Sequence, residues 1–205
     1  MRKRSPTLLR NFRTKLINLE GIQQKYEGLF APGHLSLEDI YQGYSGLYLD
    51  LFTEFESFLE SLFIGLLTGD YYSSDPAVKR RVRFVPSSMS VEVLYSGRSY
   101  LDWIPYPDYT IARAKRFFND GLPFTRITQP EKDRLNNLHI IRNAIAHKSS
   151  KAQSEFETLI SYLTLLPQER TPAGYLRSVP NPATGHTQFQ IAAQDLDVIC
   201  ALLCK

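Results

Sequence analysis

The sequence predicts an all-α fold: an antiparallel helical bundle of about six helices with an irregular insertion in its middle. Two long stretches near the start of the chain repeat apolar residues every three to four positions, which places those residues on one face of a helix. Capping residues and chain breakers mark several shorter helices after them. Two long amphipathic helices in succession must bury their apolar faces against neighbours, and a bundle allows this.

The N-terminal residues 1–35 are predicted to form a basic helix, over residues 6–28, followed by a break. Ser5-Pro6 is a typical helix start, with a capping hydroxyl before a proline at the first helical position. The first 25 residues carry seven Lys or Arg and one acid. The apolar face of this helix comprises Leu9, Phe12, Leu16, Leu19, Tyr26 and Leu29.

The second helix is predicted over residues 37–67, with Ser36 as its N-cap. Its apolar face has nearly heptad spacing and is rich in aromatic residues. This stripe comprises Leu37, Tyr41, Tyr44, Tyr48, Leu51, Phe55, Phe58, Leu62 and Leu66. An aromatic stripe could serve as a platform for stacking bases, but at helical spacing it is more often core, and a core role is predicted.

Residues 70–107 lose the helical periodicity and contain several prolines, so the irregular insertion is predicted there. Val82 and Phe84 alternate with arginines and could form a short strand. Residues 88–95 could form a short helix or another strand, and the sequence leaves both alternatives open.

Further helices follow the insertion. Asp108 is predicted to cap one helix, which Asn119-Asp120-Gly121 stops. Thr128 and Glu131 form a capping box that opens the next helix. The buried face of that helix comprises Leu135, Leu138, Ile141 and Ile145. A helix over residues 154–166, a Pro/Gly-rich stretch and a last helix complete the chain. The last helix carries Ile191, Leu196, Ile199 and Leu203.

The whole chain, residues 1–205, is predicted to be one domain with its core over residues 36–204. The longest apolar runs have about six residues, against roughly 20 needed to cross a bilayer, so no membrane span is expected. Cys200 and Cys204 cannot build a disulfide framework or a zinc site, and both are expected to be buried small side chains. The sequence thus favours a cytoplasmic protein without metal or cofactor.

The basic residues are clustered, although the net charge of +3 says little about partners. One cluster in the insertion comprises Lys79, Arg80, Arg81 and Arg83. Such a cluster is suited to the phosphates of RNA, and the alternative is an ordinary solvated surface.

Two of the four histidines lie near the end of one predicted helix, in the string Arg142-Asn143-Ala144-Ile145-Ala146-His147 and at His139. Arg142 and His147 are about 140° apart around the helix, and Asn143, Ala146 and His139 point into the arc between them. Arginine offers a forked donor for phosphate, histidine exchanges protons near neutral pH, and asparagine can orient either. The spacing alone is not specific, because Arg134 and His139 have it too.

The string Arg142-Asn143-x-x-Ala146-His147 resembles the signature of the HEPN superfamily, helical domains named for their occurrence in higher eukaryotes and prokaryotes and for nucleotide binding. The resemblance covers residues 36–204 and is strongest over 110–177. Residues 116–124 and 174–177 also look like the branch found beside bacterial RNA-processing and phage-defence genes.

This resemblance implies a metal-independent endoribonuclease that acts as a homodimer, with the motif of each subunit lining a shared cleft. His147 would be the general base or acid at the ribose 2′-hydroxyl, Arg142 would stabilise charge on the scissile phosphate, and Asn143 would position one of them. The products would end in a 2′,3′-cyclic phosphate and a 5′-hydroxyl. The implied biology is a toxin or antiphage effector held in check by an antitoxin or another regulatory protein.

The alternative function is a non-catalytic module that binds nucleotide, RNA or protein through the same fold, with Arg142 as a phosphate clamp. In a purely structural interpretation, Arg142 would instead pair with an acid such as Glu54 or Glu56. His147 would merely cap its helix end. In the catalytic interpretation, His139 is predicted as a partly buried supporting residue. Glu56, at the edge of the aromatic stripe, could steer Arg142 or His147.

Overall fold

The computed structural model describes residues 3–82 and 87–205. In this part of the chain it contains eight α-helices and one pair of two-residue strands, which confirms the predicted all-α helical bundle. The helices are α1 Ser5–Phe30, α2 Leu37–Thr68, α3 Ser87–Tyr95, α4 Ala112–Phe117, α5 Gln129–Ala146, α6 Ser150–Ile160, α7 Pro172–Arg177 and α8 Gln188–Leu203. The strands are β1 Lys3–Arg4 and β2 Tyr71–Tyr72. Across these described ranges, every helix is too short or too polar to traverse a bilayer.

The chain divides into two compact units that do not follow chain order. Unit 1 comprises Met1–Phe12, Phe55–Asn136 and Asp197–Lys205, and unit 2 comprises Arg13–Glu54 and Asn137–Leu196. Helices α1, α2, α5 and α8 each contribute residues to both units. The single domain expected for the whole chain stays a prediction.

The core of unit 1 is built around Phe63 of α2. The centroid of its ring lies 5.4 Å from that of Trp103 and 5.1 Å from those of Phe118 and Phe124. All four side chains are buried. Aromatic pairs at such distances contribute about 0.5–1.5 kcal/mol beyond the burial of their surface. The stripe residues Phe55, Phe58, Leu62 and Leu66 are buried as well, so the C-terminal half of the aromatic stripe is core, as predicted.

In unit 2, Tyr44 and Tyr48 of α2 are buried, and each donates its hydroxyl to a protein acceptor. Tyr48 donates to the carbonyl oxygen of Leu138 at 2.9 Å. Tyr44 donates to Glu27 at 2.8 Å, and Arg177 donates to both oxygens of the same carboxylate, at 2.8 and 3.0 Å. A buried hydroxyl left without a partner costs about 1–3 kcal/mol. Tyr44, Tyr48 and Leu51 of the stripe are thus core, whereas Tyr41 is half-buried and Leu37 is exposed.

The predicted helix starts are confirmed where a capping pair is present. Ser36 accepts the N–H of Asp39 at 3.1 Å, and the Asp39 carboxylate accepts the N–H of Ser36 at 2.9 Å. Thr128 donates its N–H to Glu131 at 2.7 Å in the same way. Leu29, the last residue of the predicted apolar face of α1, and Leu37, the first residue of the stripe of α2, are exposed rather than buried.

Three predicted boundaries are wrong. Asp108 does not cap a helix, because the chain enters α4 through a π-helical turn, Pro107–Ile111, whose N-cap is Tyr106. Helix α6 begins at Ser150 rather than at 154, since the Ser149 hydroxyl accepts the N–H of Ala152 at 3.3 Å. It ends at Ile160 rather than at 166, and the side chains beyond it include the exposed Tyr162 and Leu166.

The Pro/Gly-rich stretch, predicted as irregular, contains helix α7. Thr171 accepts the N–H of Gly174 at 3.1 Å, and Pro172 occupies the first helical position. A Cβ at Gly174 would overlap the carbonyl oxygen of Gln168, so glycine permits the tight turn before this helix.

The insertion at residues 70–107 is largely irregular, as predicted, with α3 as its one α-helix in the described part. Residues 88–95 are thus helical, which resolves the open alternative. Val82 is in no strand, and Phe84 lies outside the described residues. The segment before Val82 is held by backbone bonds: the N–H of Arg81 donates to the Phe117 carbonyl at 2.8 Å.

Candidate functional site

The candidate site lies at the C-terminal end of α5, in unit 2. Gln153 of α6 donates its side-chain amide to the Ala144 carbonyl at 2.9 Å, and the N–H of His147 donates to the Asn143 carbonyl at 2.8 Å. These bonds satisfy carbonyls of the last turn, which would otherwise lack partners. The helix ends at Ala146, so His147 stands at the break, as the sequence predicts.

Four side chains of this segment form a continuous hydrogen-bonded chain. The Nη1 atom of Arg142 lies 3.2 Å from Asn143 Oδ1 and 3.4 Å from His147 Nε2. The Nδ2 atom of Asn143 lies 3.3 Å from Nε2 of His139. The contacts with histidine are at the long end of hydrogen-bond distances. The structure thus brings together Arg142, Asn143, His147 and His139, the residues that the motif singles out on this helix.

The direction of these hydrogen bonds fixes the form of both imidazoles. Arginine can only donate, so Nε2 of His147 accepts from Arg142 and carries no proton. The Asn143 oxygen accepts from Arg142, so its amide nitrogen is the atom that donates to His139. In this network Nε2 of each histidine is the atom that accepts a hydrogen bond.

The guanidinium of Arg142 is divided between two tasks. Its Nη1 group has two hydrogens, and these are directed to Asn143 and His147. Nε and Nη2 make no hydrogen bond or ion pair with the described residues, and together they form the edge that binds two phosphate oxygens at once. Arg142 is half-buried, and this edge has no partner among the described residues.

His139 has a different environment from His147. It is half-buried, and its ring stacks on Phe52 with the centroids 6.1 Å apart and the planes at 24°. Burial, reinforced by the positive charge of Arg142, lowers the pKa of His139, although Glu155 partly opposes this. His147 is exposed. The packing supports the prediction that His139 is a supporting residue.

Neither acid considered for Arg142 is its partner. Glu54 binds Lys15 at 3.0 Å. The side-chain bonds of Arg142 go to Asn143 and His147. The supporting role predicted for Glu56 thus stays a prediction.

The basic cluster of the insertion lies in unit 1. Arg80 donates from Nη1 to the Leu67 carbonyl at 2.9 Å, and Arg81 donates from Nη1 to the Lys115 carbonyl at 3.0 Å. Lys79 is exposed. Arg83 lies outside the described residues.

Three residues beside the motif were not singled out by the sequence. Phe52 and Gln153 fix His139 and the end of α5, and both belong to other helices, so no local pattern reveals them. Lys148 is exposed and follows His147 directly. It forms no ion pair with the described residues. Its place in the string is the signal that could have identified it as a phosphate contact.

Among residues 3–82 and 87–205, no three His, Cys, Asp or Glu side chains are grouped so that they could hold a metal ion. Cys200 and Cys204 are buried and form no disulfide. Comparison of the chain with protein-family models, with curated proteins and with solved structures finds no match. The HEPN resemblance therefore stays a prediction based on the motif.

Proposed function

We propose that this protein is a metal-independent endoribonuclease that cleaves RNA by attack of the ribose 2′-hydroxyl on the adjacent phosphate. One observation supports it most: Arg142 contacts the exposed, unprotonated Nε2 of His147 through Nη1 and keeps its Nε–Nη2 edge for an anion. A proton acceptor and a bidentate hydrogen-bond donor for phosphate thus lie side by side.

The chemistry requires one proton to be removed and one to be supplied. The 2′-hydroxyl takes the place of Arg142 Nη1 at Nε2 of His147, and Nε2 accepts its proton while the 2′-oxygen bonds to phosphorus. The bond between phosphorus and the 5′-oxygen then breaks, leaving a 2′,3′-cyclic phosphate. The 5′-oxygen takes a proton from the imidazolium of His147 or from the partner subunit's His147. The Nε–Nη2 edge of Arg142 stabilises the charge that builds on the phosphate oxygens.

A homodimer is part of the proposal. The exposed Ala146 methyl lies within the arc that Arg142 and His147 flank, so a second chain can approach this face closely. Two motifs related by a twofold axis would line one basic cleft. Light scattering should then give a dimer at micromolar concentration. A monomer that cleaves RNA at an undiminished rate would refute the shared cleft.

The biological role proposed from the motif is that of a cytoplasmic toxin or antiphage effector restrained by an antitoxin or another regulatory protein. RNA is its substrate, and the basic cluster at Lys79, Arg80 and Arg81 is a candidate contact for the strand.

The decisive experiment is incubation of the purified protein with end-labelled RNA in EDTA. Wild-type protein should cleave it and leave cyclic-phosphate ends, and His147→Ala should not. His186→Ala is the matched control, because His186 is also exposed but lies on a loop outside the motif. RNA with 2′-deoxyribose at the cleavage site should resist. RNA that binds but is never cut would instead support the non-catalytic module.

A further inference from the structure

Unit 1 contains a cavity of about 390 Å³ between the end of α2, strand β2 and the segment after it. Its volume lies in the range of pockets that hold small ligands, about 300–1,000 Å³. The lining comprises Leu66, Gly69, Tyr71, Tyr72, Ser73 and Val78 on one side and Lys79, Arg80, Arg81, Val82 and Phe118 on the other.

The lining of the cavity carries positive charges that no carboxylate of the described lining neutralises. Lys79, Arg80 and Arg81 line it, and the described lining includes no carboxylate. The acids nearest in sequence are engaged elsewhere. Asp70 accepts from the Thr68 hydroxyl at 2.7 Å, and Asp75 pairs with Arg126. Three like charges around one cavity repel each other and create a field that attracts an anion.

Arg80 is the best-placed donor. It is half-buried, and only Nη1 makes a bond with the described protein, to the Leu67 carbonyl at 2.9 Å. The other N–H groups of this guanidinium have no such acceptor. Partly buried N–H donors are stabilised when they bond to an acceptor. Gly69, with φ at +87°, leaves the space beside the guanidinium open: a Cβ there would lie 3.1 Å from Arg80 Nη1.

Backbone hydrogen bonds hold the segment that carries the three cations. The Lys79 carbonyl accepts the N–H of Asn119 at 2.9 Å, and the N–H of Arg81 donates to the Phe117 carbonyl at 2.8 Å. Between these two bonds, Arg80 forms a bridge with Phe118, which is completely buried in the aromatic core. This arrangement presents the charges before any ligand arrives, which lowers the entropy cost of binding.

Two tyrosines complete the lining. Tyr71 packs on Gly65 of α2, where even a Cβ would overlap its ring. Tyr72 is 41% exposed and offers an aromatic side chain at the opening. Strand β1 pairs with β2 so that Lys3 lies beside Tyr71 and Arg4 beside Tyr72. The backbone of Lys3 and Arg4 thereby runs beside two residues that line the cavity.

We propose that this cavity is a binding site for a nucleoside phosphate. The phosphate is held by Arg80 and Lys79, and the planar base lies against Tyr72. The ligand can be a free nucleotide or one nucleotide of an RNA strand, since both present the same phosphate and base. This site goes beyond the proposed nuclease activity and does not depend on it.

Titration calorimetry with two probes separates the sources: AMP, and an octamer of 2′-O-methyl RNA, which cannot be cleaved by 2′-attack. Wild-type protein should bind at least one. Lys79→Gln should weaken binding of that probe about tenfold, because it removes a charge-assisted bond. Arg80→Lys should weaken it similarly, because it keeps the charge but loses the fork. Inorganic phosphate serves as a further probe for the base contact. Tyr72→Leu should weaken the binding of AMP more than the binding of inorganic phosphate.

Arg98→Gln is the matched control, since Arg98 is an exposed cation of unit 1 that does not line the cavity. It should bind both probes as wild type does. Thermal unfolding checks that Lys79→Gln and Arg80→Lys are folded. Binding by AMP alone identifies a free nucleotide, and binding by the octamer alone identifies a strand.

Failure to bind either probe, or equal binding by wild type, Lys79→Gln and Arg80→Lys, would overturn the site. His147→Ala should bind AMP as wild type does even if it cleaves nothing. Loss of cleavage and loss of this site are therefore distinguishable.

Discussion

Two histidines lie about two turns apart, His139 on helix α5 and His147 directly after its end, and their surroundings differ in almost every respect. His139 is half-buried, stacked on Phe52 and bonded to Asn143, with its pKa lowered by burial. His147 is exposed beyond the last turn and contacts Arg142. Residue type and spacing do not separate the two, because both follow an arginine by five positions. What separates them is the helix end. It leaves the imidazole of His147 unpacked and beside Arg142, a hydrogen-bond donor for phosphate.

The largest expected effect is that of His147→Ala on cleavage. Removal of a general base or acid commonly costs about 10²- to 10⁴-fold in rate, and a similar loss of kcat is expected in single-turnover assays with labelled RNA. The side chain is exposed, so the free energy of unfolding should change by less than about 0.5 kcal/mol. Cleavage within threefold of wild type would show that the helix end does not distinguish the two histidines.

Arg142→Lys should come next, with a loss of about 10²-fold in kcat. Lysine keeps the positive charge but has no second edge to bind phosphate while it contacts Asn143 and His147. Arg142→Ala should lose at least as much. If Arg142→Lys is as active as wild type, a point charge suffices and the division of the guanidinium between two tasks has no catalytic meaning.

Asn143→Ala should reduce kcat by about tenfold, because it releases Nη1 of Arg142 and the contact with His139. KM for RNA should change little, since the Nε–Nη2 edge remains. Steady-state kinetics separate the two constants. An equal change in both would indicate that Asn143 binds substrate instead of positioning Arg142.

His139→Gln should change cleavage by less than about threefold but alter the dependence of stability on pH. The pKa of His139 is below 6.5 in the folded protein, so the folded state binds fewer protons than the unfolded chain. The stability that this difference contributes is present above pH 6.5 and is lost as the pH falls through the lowered value. The unfolding temperature of wild type should therefore fall more between pH 7.5 and 5.5 than that of His139→Gln. Parallel curves would contradict this.

The sequence predicted the parts of the site that are local to one helix. The capping box at Thr128 predicted the start of α5, and His147 was expected near its end. The 140° arc between Arg142 and His147 follows from helix geometry. Phe52 and Gln153 come from other helices, and only packing brings them to α5. The orientation of Arg142, with one nitrogen turned inward, depends on a side-chain rotamer that no spacing encodes.

The fold shows the same limit. The long stripes predicted α1 and α2 because burial dominates where periodicity is sustained. Helix α7 was missed, although Thr171 before Pro172 is a recognisable start, because proline and glycine dominated the interpretation of that stretch. The backbone bonds that join Arg81 to Phe117 link distant segments, and the cavity they help to form could not be predicted from either one.

The contact between Tyr71 and Gly65 determines the size of the cavity independently of its charge. A methyl group at position 65 would push the Tyr71 ring away from α2, because the ring occupies the place of that Cβ. The wall of the cavity would then move while every cation stayed in place. Gly65→Ala would thus change the size of ligand that the cavity admits and leave its preference for anions intact. In this molecule the absence of a side chain on a helix sets the dimensions of a pocket.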